Sequence, residues 1–235
     1  MLIGIAGPKG SGKSTAAKLL TRKHAVDKPA IEVLKERAGY WWRSASLLQL
    51  DRGVQVEMAD DLKTLCQLMF DIPYKYLWGP SKLRDRYDHT LAMLMVGRSR
   101  MQPRLADAVV DLFTANCLTP RRILRLVGDA YREDNPNHWV ELVEPRIKKL
   151  LREQEERLVV VTGIRYVNEA MLIQRLGGKT LMMRNPHTLR APDHSSEEFD
   201  FDVDDEILNP GELRALKSRL DNTLSNMFSS WHRTY

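Results

Sequence analysis

The chain has 235 residues, of which 43% are hydrophobic, and this is enough to bury the core of one α/β domain with an insertion. Its net charge of +5 and pI of about 9.2 fit a protein that handles polyanionic small molecules. The same charge also fits a nucleic-acid-binding protein, so charge alone does not separate these two classes.

Two cysteines, Cys66 and Cys117, exclude a disulfide framework and a cysteine-rich metal site. We expect both to lie reduced on apolar helix faces. The longest apolar run, 91–96, is too short to span a membrane, and Met1 leads into a strand without room for a signal peptide. The sequence therefore predicts a soluble, cytoplasmic protein.

Residues 7–14 match the phosphate-binding loop pattern G-x-x-x-x-G-K-[ST]. An apolar strand precedes them and a helix follows, so backbone N–H groups and the helix dipole point at one anion. We expect Lys13 to reach the β- and γ-phosphates of ATP and the Ser14 hydroxyl to hold Mg²⁺. An ordinary glycine-rich turn would not require Lys and Ser after the last glycine. The predicted cofactor-binding residues are Gly7, Lys9, Gly10, Ser11, Gly12, Lys13, Ser14 and Thr15.

Hydrophobic periodicity predicts strands that alternate with helices along the chain. The predicted strands are 2–6, 54–59, 158–162, 179–184 and a short one near 206–208. The predicted helices follow the loop to residue 24 and then cover 28–50, 62–70 capped by Asp60 and Asp61, one from Thr119, 137–157, 165–176 and one from about 210. Alternation of this kind predicts a largely parallel sheet with helices on both faces and ligands at the carboxyl ends of its strands.

Two regions allow two interpretations each. Residues 71–118 are the least regular part and carry many arginines, so they are either a solvated basic surface or a mobile cover that brings arginines over phosphates. The aromatic run 40–42 is either a packing anchor or a base-stacking platform, and packing is favoured.

An enzyme that moves a phosphoryl group between nucleotides needs a second anion site for the acceptor. Arginine suits such a site because its guanidinium group binds two phosphate oxygens at once. Arg121, Arg122 and Arg125 on one helix and Arg165 at a strand end are the candidates. The guanine-reading motif Asn-Lys-x-Asp and the transporter signature Leu-Ser-Gly-Gly-Gln do not occur in the sequence.

The chain resembles the phage-type deoxynucleoside monophosphate kinases, a branch of the P-loop nucleoside monophosphate kinases. Five segments carry the resemblance, in family order: 7–15; 59–63; 121–129 with Trp139 and Val140 downstream; 163–170; and 194–197 followed by 207–213. The resemblance implies a three-layer α/β/α P-loop kinase fold with a five-stranded, mainly parallel sheet. It implies one domain over 1–235, with 71–118 as a helical lid or substrate-binding insertion.

The resemblance also implies the reaction, the transfer of the ATP γ-phosphoryl group to a (deoxy)nucleoside monophosphate with Mg²⁺. A homodimer is possible, membrane binding is not expected, and the site of action would be the host cytoplasm if a phage encodes the protein. The implied catalytic residues are Lys13, Arg122 and Arg165, and the implied metal ligand is Ser14. The implied substrate-binding residues are Asp60, Lys63, Arg121, Arg122, Arg125, Asp129, Arg132, Trp139, Arg165 and Glu169.

Several of these residues have a competing structural interpretation. Asp60 is either a helix cap or a substrate or metal contact, and Arg122 is either a surface ion-pair partner or an acceptor-phosphate ligand. Trp139 is more often a core residue than a base-stacking wall. Arg98, Arg100 and Arg132 are candidates to close over the transferring group.

The sequence departs from the family pattern at two positions. Gly163 stands where the family has Asp, which moves the support of Mg²⁺ to Asp60, Asp61 or Glu169, or leaves it to Ser14 and the nucleotide. Arg125 stands where the family often has Gln, which affects substrate range.

Two other functions stay open. One is a P-loop kinase of another small metabolite, such as dephospho-coenzyme A. The other is a nucleotide-dependent nucleic-acid-binding protein that uses the basic region 71–104, although acidic residues interrupt that region.

Overall fold

A computed structural model describes residues 1–21, 53–99, 103–153, 158–188, 199–209 and 211–228. The predicted helix at 28–50, the aromatic run 40–42 and the segment 194–197 lie outside these residues. The chain divides into two compact units. The sheet unit comprises 1–58 and 144–235, and the inserted unit comprises 59–143. The insertion predicted at 71–118 falls within the inserted unit.

The sheet unit contains a five-stranded sheet in which every pair of neighbouring strands is parallel. The strands are β1 (Leu2–Ala6), β2 (Gly53–Glu57), β3 (Leu158–Ile164), β4 (Lys179–Arg184) and β5 (Asp205–Leu208). Their order across the sheet is β2-β3-β1-β4-β5. β-branched and long aliphatic residues fill the three central strands, as burial on both faces requires.

Helices cover both faces of this sheet. On one face, Ile3 and Ile5 of β1 pack in a buried cluster with α1 (Lys13–Thr21) and α10 (Leu213–Met227). On the other face, α9 (Val167–Arg175) packs against β1 and β4. A Cβ on Gly4 would lie 2.8 Å from Ile173 of α9, so glycine allows this close approach. The predicted three-layer α/β fold class with its five-stranded parallel sheet is confirmed.

The inserted unit consists of helices. They are α2 (Asp60–Phe70), α3 (Tyr74–Leu77), α4 (Ser81–Asp85), α5 (His89–Ser99), α6 (Pro103–Thr114), α7 (Pro120–Asp134) and the beginning of α8 (His138–Glu153). One buried cluster, which includes Phe70, Leu77, Met95 and Val127, joins these helices except α4. The described part of 71–118, the least regular part of the sequence, consists mainly of helices, which agrees with the helical insertion that the resemblance implied. Its prolines stand just before or at the first residue of a helix, where proline is tolerated, and Gly97 lies near the end of α5.

Thr119 was correctly predicted as the N-cap of the helix that starts at Pro120, and its hydroxyl accepts a hydrogen bond from the Arg122 N–H. The predicted cap of α2 was wrong, because Ala59 is the N-cap and Asp60 and Asp61 lie in the first helical turn. Acidic residues there still favour the helix through its dipole.

Three smaller expectations also needed correction. Arg165 precedes α9, because that helix begins only at Val167. The last helix starts at Leu213, three residues after the predicted start. Cys66 lies buried in α2 as expected, but Cys117 follows α6 in a turn and is half-buried. None of the helices in the described ranges combines the length and apolar character of a membrane span.

Candidate functional site

The glycine loop between β1 and α1 adopts a backbone that only glycine accepts easily. Gly7, Gly10 and Gly12 have φ angles of 140°, 82° and 97°. A Cβ on Gly7 would lie 2.2 Å from the Met183 carbonyl oxygen, and one on Gly12 would lie 2.4 Å from Asn209 Nδ2. Gly7 and Gly12 are therefore required by both conformation and space, and Gly10 is favoured by its conformation.

Two asparagines that follow β4 and β5 support this loop from the side. Asn209 Nδ2 donates to the Ser11 carbonyl oxygen at 3.0 Å, and Asn185 Nδ2 donates to the Gly10 carbonyl oxygen at 3.3 Å. Asn209 is buried, and its backbone N–H donates to the Arg184 carbonyl oxygen at 2.7 Å. Sequence reasoning gave neither asparagine a role, although both directly follow strands of a parallel sheet, where ligands and their supports lie.

The Lys13 side chain folds back over the loop. Its Nζ donates to the carbonyl oxygens of Gly7 and Pro8, each at 2.6 Å. Ser14 and Thr15 follow in the exposed first turn of α1, whose N–H groups have no partners within the helix. The ammonium group thus lies at the loop, next to a helix N-terminus that attracts anions.

The loop residues fit a phosphate ligand with its magnesium ion. Side chains are absent at Gly7 and Gly12, where a Cβ would collide with the supporting residues. Ser11 Oγ is fully buried and makes no hydrogen bond within the part of the chain that the structure describes. The donor set of backbone N–H groups, one ammonium and two hydroxyls at the helix start is suited to phosphate oxygens and one hard cation.

Arg165 and Glu169 lie where β3 passes into α9. The register pairs Ala6 with Ile164, so Gly7 and Arg165 follow the carboxyl ends of adjacent strands. Glu169 is 4% exposed, and its Oε2 accepts hydrogen bonds from the N–H groups of Arg165, at 2.7 Å, and Tyr166, at 3.3 Å. The Glu169 carboxylate therefore caps α9 and fixes the backbone of Arg165.

In the inserted unit, α7 presents predicted site residues along one face. Arg122, Arg125, Asp129 and Arg132 follow at spacings of three, four and three residues, which places them on one side of a helix. Arg132 pairs with Asp129 at 3.4 Å. Arg122 is exposed.

Arg121 points elsewhere and is bound into the unit. It forms an ion pair with Asp85 of α4, and its Nη2 donates to Ser81 Oγ at 2.9 Å. Only 16% of its side chain is exposed. The two neighbouring arginines thus differ, because Arg121 ties α7 to α4 while Arg122 extends into solvent.

Asp60 and Lys63, both predicted substrate contacts, belong to a polar cluster at the start of α2. Trp78 Nε1 donates to Asp60 Oδ1 at 3.2 Å, and Lys63 Nζ lies 4.0 Å from the same oxygen. The Lys63 ammonium also lies 5.9 Å from the centroid of the Trp78 ring, within cation–π distance. The Lys63 side chain is only 3% exposed, so this cluster holds a buried charge.

Trp139 and the candidate closing arginines have structural contacts of their own. Trp139 is 3% exposed in the core of the inserted unit, and its Nε1 donates to the Gly128 carbonyl oxygen at 3.1 Å. Arg98 pairs with Asp71 at 3.2 Å. Arg100 lies outside the described residues.

Two viral proteins are similar to this chain, and no protein-family model matches it. The chain is 23% identical over 210 residues to the "Putative deoxynucleotide monophosphate kinase" of Acanthamoeba polyphaga mimivirus, which covers 84% of this chain and 80% of that protein. It is 28% identical over 110 residues to the uncharacterized protein ORF76 of Ictalurid herpesvirus 1 (strain Auburn). That match covers 44% of this chain and 45% of the herpesvirus protein, so the chain spans less than half of that relative. The similarity to the mimivirus protein extends far beyond the glycine loop and supports a distant kinase-like relationship.

Proposed function

We propose that this protein is an ATP-dependent kinase of (deoxy)nucleoside monophosphates that produces the diphosphates. The observation that carries the proposal is the glycine loop, in which Lys13 Nζ lies at the loop carbonyls and Ser14 lies in the first turn of α1. The name of the mimivirus relative supports the choice of acceptor.

The loop is proposed to bind the ATP phosphates. Its N–H groups and the Lys13 ammonium would neutralise charge on the β- and γ-phosphates, and the Ser14 hydroxyl would hold Mg²⁺. When bound, Mg²⁺ supplies positive charge to the phosphate oxygens between which the transferred group moves. Lys13 exchanges its two carbonyl partners for phosphate oxygens, so the same side chain stabilises the loop before the nucleotide binds.

Arg122 is proposed to bind the phosphate of the acceptor, with Arg125 and Arg165 in support. An acceptor monophosphate is already an anion, so alignment and charge neutralisation are required and a strong base is not. An exposed guanidinium suits this role because it forks onto two phosphate oxygens. We assign Arg121 and Trp139 to stability, since the ion pair of Arg121 and the burial of Trp139 engage both side chains.

The region 71–118 is proposed to act as the lid and substrate-binding part of the enzyme. Closure of such a lid would exclude water, which otherwise competes with the acceptor for the γ-phosphoryl group. Its arginines would then contribute to the charge around the phosphates, although Arg98 already pairs with Asp71.

An acceptor panel tests the proposal. The purified protein is incubated with ATP, Mg²⁺ and, one at a time, each common ribo- and deoxynucleoside monophosphate and dephospho-coenzyme A. We expect a new nucleoside diphosphate, separated by ion-exchange chromatography, with at least one monophosphate. Phosphorylation of dephospho-coenzyme A alone would favour the metabolite kinase. Absence of transfer together with salt-dependent DNA or RNA binding would favour the nucleic-acid-binding function.

A further inference from the structure

The carboxyl end of β3 contains a bulge at the position where the related kinases have aspartate. The register pairs Ile5 with Thr162 but the next residue, Ala6, with Ile164, so Gly163 is an extra residue in its strand. Gly163 has a φ of 81°, which is the conformation that such a bulge demands and that favours glycine. The bulge also turns Ile164 to the face on which Gly4 lies, where its Cδ1 would collide with a Cβ on Gly4.

The side chain of Glu57, on the neighbouring strand β2, lies within van der Waals distance of position 163. A Cβ on Gly163 would lie 3.7 Å from Glu57 Cγ. Glu57 is the last residue of β2, and it pairs with Thr162 in the sheet. The Glu57 side chain therefore lies next to the place where a side chain at position 163 would begin.

Glu57 also lies on the face of the sheet that carries the nucleotide loop helix. Paired residues of parallel strands point to the same face, so Glu57, Thr162 and Ile5 share one face. Ile5 packs against α1 on this face, and α1 covers β3 and β2. Because α1 begins at the carboxyl ends of the strands, its first residues, Lys13 and Ser14, lie at the same edge of this face as Glu57.

We propose that Glu57 takes the place of the missing aspartate and orients the water shell of the nucleotide-bound Mg²⁺. This inference rests on the proposed function, because it needs a nucleotide–magnesium complex at the loop. Mg²⁺ keeps several of its waters in such sites, and a nearby carboxylate accepts their hydrogen bonds. Glu57 is then a positioning residue, which acts through metal-bound water while Ser14 supplies the direct protein ligand.

Two of the acidic candidates named from the sequence, Glu169 and Asp60, lie in hydrogen-bonded settings. The Glu169 carboxylate accepts hydrogen bonds from the N–H groups of Arg165 and Tyr166. Asp60 accepts a hydrogen bond from Trp78 and lies near Lys63 in the inserted unit. Glu57 lies beside the bulge at Gly163, the position at which the family pattern has aspartate.

The test measures metal binding directly, with Mn²⁺ as the probe and free Mn²⁺ followed by electron paramagnetic resonance in the presence of ADP. We expect Glu57→Gln to weaken the affinity of the protein–ADP complex for Mn²⁺ by about 10- to 100-fold, the usual cost of losing a partner that orients metal ligands. The affinity for ADP without metal should stay unchanged, which a general loss of structure would not allow. Glu206→Gln is the matched control, because Glu206 is an exposed carboxylate near the end of β5 that pairs with Arg184 at 2.7 Å.

A second variant tests whether a carboxylate at position 163 can replace the carboxylate at position 57. Glu57→Gln with Gly163→Asp should recover Mn²⁺ affinity, since aspartate is among the few residues that tolerate a positive φ. Unchanged Mn²⁺ affinity in Glu57→Gln would overturn the inference while leaving the kinase proposal intact. A wild-type protein that binds neither ADP nor Mn²⁺ with ADP would overturn the proposed function and the inference with it.

Discussion

The glycine loop of the sheet unit and the arginine helix α7 of the inserted unit present charge to anions in different ways. The loop uses backbone N–H groups whose positions are fixed by three glycines and by Asn209. The helix uses long arginine side chains, and the role of each one depends on the residues that it contacts. Arg121 meets Asp85, while Arg122 extends into solvent. An anion site built from backbone N–H groups can therefore be predicted from a sequence motif. An anion site built from side chains can be predicted only when the tertiary contacts of those side chains are known.

The largest expected effect comes from the loop. Lys13→Ala should lower the rate of phosphoryl transfer by about 100-fold or more, because the transition-state charge on the phosphates loses its ammonium group. Steady-state kinetics with saturating ATP measure this loss. Lys18→Ala, an exposed lysine on the same helix, is the control and should retain wild-type turnover. Equal turnover in Lys13→Ala and wild type would refute the role of the loop.

The two neighbouring arginines give the sharpest test of the helix. Arg122→Ala should lower kcat/KM for the monophosphate by about 10- to 100-fold, as expected for a lost hydrogen bond between charged groups, with little change in thermal stability. Arg121→Ala should instead lower the melting temperature, because it breaks the partly buried contact with Asp85 and Ser81. Thermal unfolding and acceptor titrations on both variants check the pair. The reverse pattern would show that the two roles are exchanged.

The support of the loop by Asn209 predicts a smaller effect. Asn209→Ala leaves the Ser11 carbonyl without its side-chain donor and the Gly211 N–H without its acceptor, and each bond measures 3.0 Å. We expect ADP affinity to fall about 10-fold, since an unsatisfied buried group costs about 1–3 kcal/mol. Isothermal titration with ADP measures it. Asn185→Ala should change affinity less, because its bond to Gly10 is longer, at 3.3 Å, and exposed. Equal affinities in both variants would argue that the loop holds its shape unaided.

The smallest effect concerns Asp204, which joins the strands that precede both asparagines. It accepts hydrogen bonds from Lys179 Nζ and the Thr180 N–H, each at 2.8 Å. Burial alone would raise the pKa of Asp204, but these bonds outweigh it and hold the pKa below its ordinary value. Its contribution to stability is therefore complete above the ordinary aspartate pKa and is lost as pH falls through the lower folded pKa.

Asp204→Asn should lower the free energy of unfolding by about 1 kcal/mol at neutral pH. The difference from wild type should shrink as pH falls below about 4. Urea unfolding at a series of pH values measures this difference. Asp202→Asn, at an exposed position, is the control. A difference that stays constant into the acid range would contradict the ionic origin of the stabilisation.

The sequence predicted most of the sheet unit because its signals are local. The run 179–184 was predicted with its observed bounds, since its apolar centre at 181–183 follows two glycines that end the preceding helix. The inserted unit was harder, because short helices separated by proline and glycine resemble loops in sequence. The class of fold thus follows from periodicity, while the helices of the insertion depend on a shared core.

The site divides in the same way. The glycine loop was predicted residue by residue, because its chemistry fixes which residue types stand at which spacing. Asn209 and Glu57 received no role, since their positions depend on the strand register and on a bulge at Gly163 that no local pattern reveals. The sequence did identify Gly163 as a departure from the family pattern. The structure gives a reason for glycine at this position, because its φ is positive.

The stoichiometry of the reaction tests the central claim most directly. With ATP, Mg²⁺ and the preferred monophosphate, ³¹P nuclear magnetic resonance quantifies ADP, the new nucleoside diphosphate and inorganic phosphate in one sample. We predict equal amounts of ADP and acceptor diphosphate and no inorganic phosphate above the background of ATP alone. ADP that appears with an equal amount of inorganic phosphate and no acceptor diphosphate would contradict the account, because the loop would then serve an ATPase.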